Sequence, residues 1–85
     1  MEQLKLYTCL LIRKIIAKTT EEGTPLTQKK ISKLINLSEA QVSRLYQGKS
    51  TISGKTLAKL QRLGHITIGD KFMSEFNSIN LPQLE

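Results

Sequence analysis

Eight cationic side chains fall between Gln28 and Arg62: Lys29, Lys30, Lys33, Arg44, Lys49, Lys55, Lys59 and Arg62. One acid, Glu39, stands among them, which leaves that segment at +7 and the rest of the 85-residue chain at −1. A local excess of this size attracts a polyanion, and the competing explanation is a solvated basic surface kept for solubility. Within the segment, residues 36–49 read NLSEAQVSRLYQGK and are mostly polar or basic. Asn36-Leu37-Ser38 breaks what would otherwise be a continuous helical pattern, with residues that favour caps and turns. A helix that follows such a break with so little apolar surface offers its polar face to something outside the core.

Other chemistries have little support. His65 is the sole histidine, and no cysteine or carboxylate cluster accompanies it, so no metal site is expected and an edge or interface position suits it better. A triad of His65, Asp70 and Ser74 lacks a motif, and no glycine-rich phosphate loop is present, so the chain is expected to be neither an enzyme nor a cofactor binder. Cys9 is the single cysteine. It excludes an internal disulfide, suits a reducing cytoplasm, and is expected to fill core space. No apolar run approaches the roughly 20 residues of a membrane span. Glu2, Lys5, Arg13 and Lys14 interrupt the apolar N-terminus, and no cleavage-like site follows, so no secretory signal is expected. The length allows one domain with a modest core and no second, ligand-sensing domain.

The elements that must position the polar face follow from periodicity. Residues 3–19 place Leu4, Tyr7, Leu11, Ile15 and Ile16 at helical spacing, with Lys5, Arg13, Lys14 and Lys18 opposite. Leu10 and Ile12 widen the stripe and make this helix central. The stretch from Thr19 to Pro25 is a break. Thr27 caps a helix over residues 28–35 whose apolar positions are Ile31, Leu34 and Ile35. Asn36 tolerates the left-handed backbone of a tight helix end, and Leu37 belongs in a turn only if it enters the core. Ser38 and Gln41 form a capping box for the next helix, in which Val42 and Leu45 face inward beside Tyr46. Gly48 stops it, residues 49–52 form a loop, and Ser53 caps a helix that packs through Leu57 and Leu60 and ends at Gly64. Residues 65–68 alternate like a strand. Beyond Gly69-Asp70, a final helix capped by Asp70 carries Phe72, Met73, Phe76 and Ile79, unless the strand continues through Phe72. Residues 81–85, with Pro82, are expected to fray.

The stretch QKKISKLINLSEAQVSRLYQ, Gln28 to Gln47, resembles the DNA-reading unit of the Cro and lambda-repressor-like (XRE-type) helix-turn-helix family. The continuation GKSTISGKTLAKLQRLG is similar to the same family, so the resemblance runs over residues 27–64. Two departures are small: Ser32 stands where relatives usually have alanine, and Asn36 where they usually have glycine. The resemblance implies an all-α, lambda-repressor-like bundle of about five short helices, with a C-terminal strand, short helix or both for dimerisation. Residues 1–64 would form the DNA-binding domain and residues 65–85 the dimerisation tail.

The resemblance also implies roles. Glu39, Ala40, Ser43, Arg44 and Gln47 become base-edge candidates in a major groove entered helix N-terminus first. Arg44 suits guanine, with a phosphate contact as the alternative. Ala40 suits a thymine methyl, and Ser43 either a base or a phosphate. Glu39 stands where many relatives have glutamine; it either accepts from a cytosine amino group or only complements the positive helix end. Thr27, Gln28, Lys29, Ser38, Lys49, Ser50, Thr51, Ser53 and Lys55 are phosphate candidates. Ile66, Ile68, Phe72, Met73, Phe76 and Ile79 either form a dimer interface or cap the core of their own subunit. The implied function is sequence-specific transcriptional regulation, with repression from an inverted-repeat operator on double-stranded DNA by a homodimer. The alternative is an antitoxin that represses its own operon and neutralises a toxin. A protein partner such as a toxin or antirepressor is conceivable on either reading, and a membrane is not. The setting implied is the cytoplasm of a prokaryotic cell, with the gene carried by the host, a phage or a plasmid.

Overall fold

A computed structural model describes the backbone of residues 2–80 and the side chains of residues 3–80. The expected fray at residues 81–85 lies outside the described residues. Among the described residues five helices follow one another: α1 (Glu2–Glu21), α2 (Gln28–Leu34), α3 (Glu39–Tyr46), α4 (Gly54–Ile68) and α5 (Asp70–Asn80). The all-α, lambda-repressor-like bundle is therefore what the chain forms. α1 is central, as its wide apolar stripe requires: it packs against α3 and α4, while α2 lies on α3 and α5 on α4.

The core is one cluster. Tyr7, Leu11, Ile12 and Ile15 of α1 meet Ile31 and Ile35 from the α2 side, Val42 and Leu45 of α3, and Leu60, Met73 and Phe76 of α4 and α5. Full burial of a Leu or Ile side chain contributes about 1.5–3 kcal/mol, so this cluster carries most of the stability. Leu37 packs against it from inside the turn, as its position required. Leu34, expected inward, is exposed. Tyr7 has its hydroxyl satisfied within the core: it donates to Asn77 Oδ1 at 2.6 Å and accepts from Gln61 Nε2 at 3.0 Å. Burial raises the Tyr7 pKa above the ordinary tyrosine value, with the Gln61 hydrogen bond working in the opposite direction.

The C-terminal third corrects the sequence reading. Gly64 does not end its helix, and residues 65–68 are not a strand: α4 runs on to Ile68. A four-residue alternation is too short to separate a strand from a helix whose sides are partly exposed. Gly64 serves packing and not termination. A Cβ there would lie 2.7 Å from Met73 Sδ, so glycine lets α5 approach α4 closely. The true stop is Gly69, at φ +93°, whose N–H donates to the His65 carbonyl at 3.1 Å. Asp70 is accordingly the first residue of α5 and not its cap; the Gly69 carbonyl accepts the Met73 N–H at 3.0 Å. The Asp70 carboxylate instead meets His65 Nδ1 at 2.8 Å, across the α4–α5 joint.

Candidate nucleic-acid interface

The α2–α3 unit is set by its ends. The Thr27 hydroxyl accepts the Lys30 N–H at 3.2 Å and so starts α2. At the other end Asn36 has φ +60°, the left-handed value its side chain tolerates. That turn brings the Leu37 N–H back to the Ser32 carbonyl at 2.9 Å and the chain into the core. Ser32, where alanine was the family expectation, is buried, and its hydroxyl donates to the Lys29 carbonyl at 2.6 Å. Serine is thus accommodated without leaving a polar atom unpaired.

α3 then begins on a complete capping box. The Gln41 N–H donates to Ser38 Oγ at 3.1 Å, while Gln41 Oε1 accepts the Ser38 N–H at 3.0 Å. The C-terminus closes through Gly48, at φ +73°, with Gly48 N–H donating to the Leu45 carbonyl and Lys49 N–H to the Arg44 carbonyl. With both ends specified, only Val42 and Leu45 need be buried. The remaining faces are free to point outward.

Glu39, Ala40, Arg44 and Gln47 are exposed, and Ser43 is half-buried. Ser43 Oγ accepts a long hydrogen bond from Gln47 Nε2 at 3.4 Å. The structure therefore gathers Glu39, Ala40, Ser43 and Arg44 along one eight-residue helix, with Gln47 as the residue that caps its C-terminus. Glu39 opens that helix, where a carboxylate complements the positive end of the peptide dipoles.

The phosphate candidates stand at the start of α2, at the cap of α3, and from the loop after α3 into the first turn of α4. Thr27, Lys29, Ser38, Lys49, Thr51, Ser53 and Lys55 are exposed, while Gln28 and Ser50 are half-buried. Lys49, Ser50, Thr51 and Ser53 come together with Arg44 along a groove of about 600 Å³ between α3 and the start of α4. Ser53 Oγ caps α4 by accepting the Thr56 N–H at 3.2 Å. Two further residues line this groove that the sequence reading did not single out, Lys5 of α1 and Thr56 of α4. Thr56 was findable as the third residue after a serine cap. Lys5 was not, because nothing local ties it to a loop more than forty residues away. Lys5, Arg44 and Lys49 are the charged side chains on the groove, and no carboxylate is among its lining residues. Three cations interleaved with hydroxyls suit a chain of phosphates.

The proposed dimer residues separate into groups. Met73 and Phe76 are packed in the core of their own chain, Phe76 with its ring 5.5 Å from that of Tyr7. Ile68 and Phe72 are half-buried against the same core. Ile66 and Ile79 are the exposed members, at 75% and 82%.

Comparison with known proteins agrees with this geometry. A family model described as the Cro/C1-type HTH DNA-binding domain matches residues 24–72, which is more than half of the chain. Neither the curated proteins nor the solved structures gave a match.

Proposed function

The chain belongs to the Cro/C1-type HTH DNA-binding domain family and is a DNA-binding transcription regulator, and we propose that it represses transcription by occupying an inverted-repeat operator as a homodimer. The observation that carries this reading is the capped, outward-facing α3 beside a groove bearing Lys5, Arg44 and Lys49. α3 enters the major groove N-terminus first. Arg44 donates two hydrogen bonds to guanine, Ala40 meets a thymine methyl, and Glu39 accepts from cytosine. Lys49, Ser50, Thr51 and Ser53 grip the flanking phosphates and set the register.

One such helix reads few base pairs, so useful selectivity over a genome needs two half-sites. Their centres would lie about 10–10.5 bp apart. The two-fold contact uses the outer face of α5, where Ile79 projects beside an apolar groove of about 520 Å³ lined in part by Leu10, Ala17 and Phe72. Lys14 and Glu75 on the rim of that groove carry opposite charges, which favours contact between two copies.

Selection of bound DNA from a random pool tests the reading. A palindromic consensus with that spacing is expected, and Glu39→Gln is expected to change the preferred half-site. Recovery of unrelated sequences would overturn sequence-specific binding. Ile79→Lys is expected to yield monomers in sedimentation; an intact dimer would remove α5 from the interface.

A further inference from the structure

We propose that Arg13 of α1 is a positioning residue for DNA reading: it fixes the C-terminal end of α3 and so the angle at which the base-reading face is presented. This inference rests on the reading of α3 as the DNA-contacting helix. The last turn of any helix leaves carbonyls without helical partners. In α3 the carbonyls of Ser43, Arg44 and Leu45 are taken by the N–H groups of Gln47, Lys49 and Gly48. The Tyr46 carbonyl is instead taken by α1. Arg13 Nε donates to it at 3.2 Å, and Cys9 Sγ donates to it at 3.0 Å.

The contact is locked from a second direction. The Arg13 guanidinium carbon lies 4.1 Å from the centre of the Tyr46 ring, and Arg13 Nε also donates to Cys9 Sγ at 3.2 Å. One planar cation therefore holds both the backbone and the side chain of the residue that ends α3. A cation at a helix C-terminus is favoured by the peptide dipoles as well. Gly48 follows directly, its left-handed φ of +73° turning the chain away from the helix end. Rotation or fraying at this end would move Gln47 and Arg44 relative to the loop that carries Lys49 and Ser50.

The experiment compares Arg13→Met with Lys18→Met on DNA recovered by wild-type selection and on unrelated DNA. Lys18 is a cation of the same helix that lines neither the α3–α4 groove nor the α5 groove, so its loss controls for charge. Loss of the bond to the Tyr46 carbonyl and of the cation–π contact predicts that Arg13→Met weakens binding to selected DNA by about fivefold to thirtyfold. Binding to unrelated DNA should fall no further than in Lys18→Met. Amide exchange of Gln47, Gly48 and Lys49 in the free protein should accelerate, and Arg13→Lys should recover part of both losses.

Equal loss on both DNAs, or a loss no greater than in Lys18→Met, would overturn the proposal. Unchanged exchange at residues 47–49 would do the same. If Arg13→Met fails to fold, Tyr46→Leu removes the ring but keeps the carbonyl, and must show the same selective loss to a smaller degree. Failure of the wild-type protein to enrich any DNA would instead overturn the functional reading and leave the exchange result interpretable.

Discussion

The α2–α3 unit and the α1–α4–α5 frame are built on different terms. α2 and α3 have seven and eight residues, too short to be stable alone, and each begins on a side-chain cap and ends on a left-handed residue. α1, α4 and α5 have 20, 15 and 11 residues and meet through Tyr7, Leu11, Leu60, Met73 and Phe76. The long frame helices are held mainly by packing, with α4 adding a Ser53 cap and a Gly69 stop; the short helices of the reading unit lean on their ends as well as on Ile31, Ile35, Val42 and Leu45. A helix that must present a polar face cannot be held by burial all round, so directional bonds at its termini take over that work. Arg13 is where the two schemes meet, a frame residue bonded to the reading helix.

That contrast predicts how each region fails. The largest effect is expected in the frame: Leu60→Ala should cost about 2–5 kcal/mol in urea denaturation, because a fully buried leucine leaves a cavity. DNA affinity of the fraction that remains folded should change little. Arg44→Ala should show the reverse pattern, with about 1–3 kcal/mol lost from binding to selected DNA and relaxed preference at one base position. Its denaturation midpoint should stay put, since Arg44 is exposed. Uniform weakening on all sequences would instead make Arg44 a phosphate contact. Ser38→Ala should fall between the two, losing about 0.5–2 kcal/mol of stability with the capping box and weakening DNA binding as α3 frays. Were Ser38→Ala silent in both assays, the claim that the short helices of the reading unit lean on their ends would be wrong.

A smaller effect tests the frame alone. The Tyr7 pKa is raised in the folded chain, so the folded state favours the neutral phenol. The corresponding stability is fully present below the ordinary tyrosine pKa of about 10 and is lost as pH rises through the folded value. Tyr7→Phe should flatten the alkaline limb of a stability profile while leaving its neutral-to-acid part in shape.

Legibility followed the same division. Thr27, Asn36, Ser38, Gln41, Gly48 and Ser53 act through neighbours a few residues away, so their caps and turns could be read directly and the structure has them as expected. The C-terminal third was misread because its decisive contacts are distant. Gly64 is a glycine for the sake of Met73, and nothing in its local sequence distinguishes close packing from a helix stop. Lys5 joins the α3–α4 groove, and Met73 and Phe76 turn into their own core, only because α1 packs against α3 and α4 and carries Tyr7 to Phe76.

The sequence by itself determined where the short helices begin and end, which side of α3 is polar, and that a basic segment surrounds it. Those properties depend on hydrogen bonds and spacing within a single turn of chain. Tertiary structure decided the length of α4, the burial of Met73 and Phe76, and the bond from Arg13 to the end of α3. Each of these depends on which surfaces are brought together, and an apolar or cationic side chain does not carry the identity of its partner in its own neighbourhood.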